Sequence, residues 1–217
     1  MNTIFITLVG TGVNLFFTAT MAYALSRPIL GQRPFMMMVV FTLLFSAGMI
    51  PTYLVVQATG LLNSMWSLIL PVAITPFNLI VMRQFFIGIP DDLTEAGIID
   101  GANDLQVFTR IILPLSKPSL AAFSLFYAVT HWNNYFAPIL YINDNAKWTI
   151  QVILRQIVVM GEATSTLAGD NSFADNPPPP ETVQMAAILL ATLPILIVYP
   201  FLQKHFAKGV MLGAVKG

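Results

Sequence analysis

Apolar runs long enough to cross a bilayer alternate with polar breaks along this chain. The first run, Thr3 to Leu25, carries no charge and is followed by Arg27 and Arg33. The second, Phe35 to Gln57, is about 34 Å long as a helix, enough for a hydrocarbon core of about 30 Å. Gly48 and Pro51 predict a bend near its far end. The third, Met65 to Ile87, holds Pro71 and Pro76, whose missing amide hydrogens leave carbonyls for neighbouring helices to satisfy. The fourth, Leu120 to Tyr141, is interrupted by His131, Asn133 and Asn134, and a polar stretch from Asn143 to Glu181 precedes the last run, Thr182 to Phe201. The pattern predicts one all-α domain over residues 1–217, a polytopic transmembrane bundle of about five spans.

Between the third and fourth runs lies a polar island, Pro90 to Pro118. Ile98, Ala102, Leu105, Phe108 and Ile112 recur at steps of three or four and predict one apolar helical face, with Asp100 and Asp104 on another. Asp92 and Glu95 stand in the D-x-x-E order of a capping box, with Asp92 accepting from the first amides and Glu95 reaching back. Gly101 permits a tight bend or a close backbone approach. The apolar side of such a helix needs lipid headgroups or the groove of a partner.

Composition fixes the solvent. With 56% hydrophobic and 9% charged residues and a mean hydropathy of +0.75, the 217-residue chain is far too apolar for water. Zero net charge gives no field for nucleic acid, and the lack of cysteine excludes disulfides and thiolate metal sites. His205, between Lys204 and Lys208, has no ligand partner for a metal and reads as part of a basic anchor at the membrane surface. If the island is cytoplasmic, eight of the ten Lys and Arg residues lie inside and only Lys147 and Arg155 outside. The C-terminus is then inside and the N-terminus outside.

Glu95-Ala96-Gly97, three residues, Gly101, nine residues, Ile111, one residue, Leu113-Pro114 resembles the EAA loop of ABC importer membrane subunits, E-A-A-x3-G-x9-I-x-L-P. Gly97 departs from that pattern by replacing an alanine, which weakens helix propensity by about 1 kcal/mol. Ile99 to Ala102, Pro114-Leu115 and the terminal Gly213 to Gly217 are similar to the sugar-importing branch, above all to the maltose-type inner subunit. The tail from Phe206 to Gly217 looks closest to importers of oligosaccharides or polysaccharide fragments such as alginate. The resemblance implies the type I importer permease fold, whose core of six helices would here lack the first. A shortened chain, a misassigned start and a true five-helix protein all fit an external N-terminus. The resemblance further implies a multi-pass protein of a prokaryotic cell membrane and a heterodimer with a homologous permease. It implies two cytosolic nucleotide-binding subunits, which hold ATP and Mg, an extracytoplasmic solute-binding protein and a sugar substrate. It makes residues 90–118 a cytoplasmic coupling loop and residues 143–181 an extracytoplasmic loop, and places Glu95, Ala96, Gly97, Asp100, Gly101, Ala102, Ile111, Leu113 and Pro114 at the ATPase contact. A local role, Glu95 capping a helix and Gly101 ending one, is compatible with that contact, and the spacing favours the contact over capping alone.

No G-x-x-x-x-G-K-[ST] occurs, so this chain has no P-loop of its own and is not an enzyme on this reading. His131, Trp132, Asn133, Asn134 and Tyr135 put amides and aromatic rings at membrane depth, which suits either a sugar path or bonds between helices. Asn14, Gln57 and Asn78 read as packing residues. Leu167, Ala168, Gly169, Asp170, Asn171, Ser172 and Phe173 precede four prolines and read as a solvated connector, while the resemblance to maltose-type importers implies a contact with the binding protein there. Two other classes compete. A proton-coupled secondary carrier would use an acidic residue within a span, and none is present; a non-transporting scaffold would dock a partner on the island alone.

Overall fold

In the computed structural model, which describes residues 1–160, 179 and 181–197, the described residues form helices and turns without strands. The longest helix, α1 (Asn2–Ser26), is about 37 Å long by its residue count and is the axis of the bundle. Its buried residues Thr3, Ile6, Gly10, Asn14, Thr18, Ala22 and Leu25 recur at steps of three or four, so one stripe faces inward. Against that stripe pack α4 (Pro76–Ile87) and α7 (Lys117–Trp132).

The second apolar run is not one rod. It forms α2 (Gln32–Leu44) and α3 (Met49–Ala58), which meet at 118°. The turn falls where Gly48 takes a positive φ of 84°, a conformation costly for any residue with a Cβ. The bend predicted there exists, but it divides the run into helices of 13 and 10 residues, each too short to cross a bilayer alone. The third run is likewise divided into 3-10 turns at Met65–Val72 and α4, bent by 52°, with Pro71 in the turns and Pro76 starting the helix. The fourth begins earlier than its apolar boundary, at Lys117, and α7 ends at Trp132; a short α8 (Phe136–Tyr141) resumes after the polar residues.

Two apolar clusters mark the ends of the bundle. One joins Leu25 of α1 and Phe86 of α4 to Val107, Phe108 and Ile112 of the island; the other joins Ile6, Val56, Leu68 and Tyr141. The island therefore stands at the end opposite Met1. At the Met1 end, Lys147 Nζ donates to Asn63 O (2.9 Å) and Asn2 Nδ2 to Ala146 O (2.7 Å), tying residues 144–148 to both α1 and the turn after α3. The segment read as polar from Asn143 onward is ordered helix in its first part: α9 (Ile150–Arg155) runs on as a π-turn through Gln156–Met160, and Val152 is buried. The last apolar run forms α10 (Glu181–Ile197) within the described residues.

Candidate functional site

The island is a corner of two helices rather than one helix. Its first arm, α5 (Asp91–Ile99), ends in a Schellman arrangement: Gly101 takes φ 84°, its N–H donates to Ile98 O (2.9 Å), and Ala102 N–H donates to Gly97 O (2.9 Å). Its second arm, α6 (Asp104–Leu115), opens on a capping box, in which Gln106 N–H donates to Asn103 Oδ1 and Asn103 N–H donates to Gln106 Oε1, both at 2.9 Å. The box expected at Asp92 and Glu95 does not form. Pro90 is the N-cap of α5 and makes no side-chain bond, and Asp92 lies inside the first turn, where a carboxylate favours the helix dipole without capping. The box that forms, Asn103 with Gln106, has the same spacing as the D-x-x-E pair and is legible in the sequence as N-x-x-Q.

This break also dissolves the single apolar face. Phe108 and Ile112 are buried with Val107 in the island-end cluster, whereas Ile98 and Leu105 are 56% and 68% exposed. Ile98 lies on α5, before the turn at Gly101, whereas Leu105 lies in the first turn of α6, with the buried Phe108 and Ile112 further along the same arm. A second irregularity follows from Pro114, whose ring clashes with the carbonyl four residues back. Phe108–Ile112 widens into a π-turn, with Leu113 N–H donating to Phe108 O. After Ser116 the chain turns 80° into α7.

The residues assigned to the ATPase contact divide by exposure. Glu95, Ala96, Asp100, Gly101 and Pro114 are exposed, while Gly97, Ala102, Ile111 and Leu113 are half-buried in the crease between the arms. The glycine at 97 has a packing reason: a Cβ there would lie 2.5 Å from Ile111 Cδ1. Leu93, Ile98, Ile99 and Leu105 of α5 and α6 are exposed, interspersed along the chain with the exposed carboxylates of Asp91, Asp92, Glu95, Asp100 and Asp104. Inward, the corner is tied to α1. Arg27 Nη1 donates to Thr94 Oγ1 (3.3 Å) and lies 5.3 Å from the Tyr23 ring centroid; Tyr23 packs on Phe108 and its hydroxyl donates to Asp104 O (3.4 Å).

Deeper in the bundle, α7 meets α1 through a polar layer. His131 Nε2 lies 2.6 Å from Asn14 Oδ1, Asn14 Nδ2 donates to Val72 O, and Thr18 Oγ1 and Tyr127 Oη are 2.8 Å apart. Asn14 Oδ1 can only accept, so the imidazole proton sits on Nε2. Asn14 and Asn78 are buried, and Gln57 is exposed. Gly10 makes room for the ring, since a Cβ there would stand 2.6 Å from His131 Nε2.

The five polar residues proposed at membrane depth part company here. His131 and Trp132 are buried in helix contacts, with Trp132 Nε1 donating to Ala191 O of α10 (3.0 Å). Asn134 Oδ1 accepts from Ala137 N–H (3.3 Å) and starts α8. Asn133 and Tyr135 instead line a cavity of about 470 Å³ with Gln151 and Arg155 of α9 and Thr192 of α10. Gln151 and Arg155 lie in the stretch 143–181 that reads as a polar loop, and Thr192 is one hydroxyl inside the last apolar run, so the sequence singles out none of the three. The spacing Gln151-Arg155, one helical turn, was the available signal. The seven residues Leu167 to Phe173 and the basic tail, including His205, lie outside the described residues.

A family model described as binding-protein-dependent transport system inner membrane component matches residues 4–212. The polygalacturonan/rhamnogalacturonan transport system permease protein YtcP of Bacillus subtilis (strain 168) is 56% identical over 99% of this chain and 75% of its own length. Protein LplC of the same organism is 54% identical over 99% of this chain and 72% of its own. Among solved structures, a chain from a bacterial ABC transporter involved in the import of the acidic polysaccharide alginate superposes with a TM-score of 0.89 at 39% identity, covering 94% of this chain and 73% of that one.

Proposed function

Because the chain belongs to the family of binding-protein-dependent transport system inner membrane components, we propose that it carries an oligosaccharide or polysaccharide fragment across the membrane in an ATP-driven importer. It is a cell-membrane protein with the type I importer permease fold and no catalytic role; ATP hydrolysis belongs to a separate ATPase subunit. Membership implies work with a solute-binding protein, an ATPase and a partner permease. In our reading the partner permease is a homologous chain, and the ATPase is a cytosolic pair that holds the ATP and Mg.

The observation that carries the mechanism is the α5–α6 corner. It exposes Ile98 and Ile99 with the exposed carboxylates of Glu95 and Asp100 close to them in the chain, a knob suited to an apolar cleft with a basic rim. Its shape is held by backbone hydrogen bonds, and its inner side is bonded to α1 through Arg27 and Tyr23. Closure of the ATPase pair then moves corner and α1 together, and α1 passes the displacement to α7 through the layer at Asn14 and His131. On this reading Glu95 contacts the ATPase and Gly101 sets the angle at which the knob is presented. Sidedness draws support from charge. Arg27, Arg83, Arg110 and Lys117 flank the corner, while Lys147 is at the Met1 end, which favours a cytoplasmic corner. The cavity below Tyr135 opens at the end of α7 away from the corner and is our candidate for part of the sugar path.

Reconstitution into liposomes with the partner permease, ATPase and binding protein tests this reading. Uptake requires ATP, and Glu95→Lys, which reverses an exposed charge, leaves the subunit folded but lowers ATPase-coupled uptake at least about tenfold, the effect of losing about 1.4 kcal/mol of interface energy. Uptake that persists without ATP identifies a secondary carrier, and ATPase docking without any uptake identifies a scaffold; either outcome overturns the proposal.

A further inference from the structure

The cavity between α9, α10 and the α7–α8 break has a chemistry more specific than a neutral sugar needs. Arg155 is the one charged residue among the described residues that line it, and its guanidinium carbon lies 5.8 Å from the centroid of the Tyr135 ring. A guanidinium over a phenol ring is held in orientation by its face, which leaves its N–H edge directed sideways, where it can grip a carboxylate with two parallel bonds. Tyr135 is itself partly open, so the rest of its ring can carry the apolar face of a pyranose. Beside them Gln151 Nε2 reaches Asn133 Oδ1 only at 3.5 Å, a weak bond that a sugar hydroxyl can replace. At about 470 Å³ the space falls within the range of small-ligand sites.

Resting on the saccharide-importer reading above, we propose that Arg155 and Tyr135 form a subsite that reads the carboxylate of a uronic acid unit, so that the cargo is an acidic oligosaccharide. One cation matches one carboxylate, whereas a doubly charged phosphate ester calls for more donors than this cavity supplies. Asn133 and Gln151 then bond the ring hydroxyls, and Arg155 is a specificity-determining residue of the path.

The test uses the complete importer in liposomes and two probes: a mixture of galacturonate, mannuronate and guluronate trimers, and the neutral trimer of arabinose. In the wild type the uronate trimers are taken up with ATP. Arg155→Gln raises the KM for them by about tenfold or more, the loss of one paired charge, with the effect confined to KM rather than maximal rate and with thermal unfolding as in the wild type. Arg155→Lys, which keeps the charge but loses the fork and the ring contact, falls between. A fall in maximal rate with KM unchanged, or no change at all, overturns the subsite. If the wild type imports the neutral trimer and rejects the uronates, the acidic cargo is refuted and the saccharide reading stands; if it imports neither, both fall.

Discussion

Gly10 has no room for a methyl group, because the His131 ring occupies the place where it would go. Gly10→Ala is expected to cost about 1–3 kcal/mol through overpacking of the α1–α7 contact, read as a lower unfolding temperature in detergent. Joined with His131→Ala, which empties that space, the loss should be smaller than the sum of the two single losses, as for any pair in direct contact. A fully additive pair would mean that the ring does not press on the glycine. This requirement was invisible in sequence, since Gly10 and His131 are 121 residues apart and only the folded chain brings them together. Asn14 was more legible: an amide inside an apolar helix needs a partner, whichever partner that proves to be.

At the scale of elements, the runs and their breaks were readable and their geometry was not. Pro71, Pro76 and Gly48 announced interruptions in the second and third runs, but nothing local told a slight bend from the 118° turn between α2 and α3. In the island, periodicity gave one helical face because it assumes that the helix continues, and the Schellman turn at Gly101 ends it. The motif spacing survived this error because it counts residues and not angles. Asn103→Ala should cost about 1 kcal/mol locally, by leaving the Gln106 N–H without its acceptor. Amide exchange at residues 104–107 is the measurement, and faster exchange there with α1 unchanged is the expected outcome; unchanged exchange would show that the box contributes nothing. The α9 helix was hidden for a different reason. Its apolar Ile150, Val152, Ile153, Leu154, Ile157 and Val158 are plain in the sequence, but the run is too short to span a membrane and is set between polar stretches, so the whole segment reads as a loop.

For the whole molecule, the two apolar clusters and the distribution of cations define an axis with unlike ends. The chain contains no cysteine, so single cysteines can report which end faces which compartment. Asp92→Cys on the corner is expected to react with a membrane-impermeant maleimide only after the membrane is opened, and Asn145→Cys near the Met1 end in sealed cells as well. The reverse pattern would invert the topology. The corner itself bears on how such subunits diversify. Its angle depends on peptide hydrogen bonds together with Gly101, Asn103 and Gln106, not on the side chains it displays. Under the docking proposed above, recognition and shape are written in separate residues, and exposed positions such as Leu93, Ile98 and Ile99 are free to be recoded for a new motor without rebuilding the joint. One engine can in this way be shared among several importers, or exchanged for another, by altering a handful of surface letters.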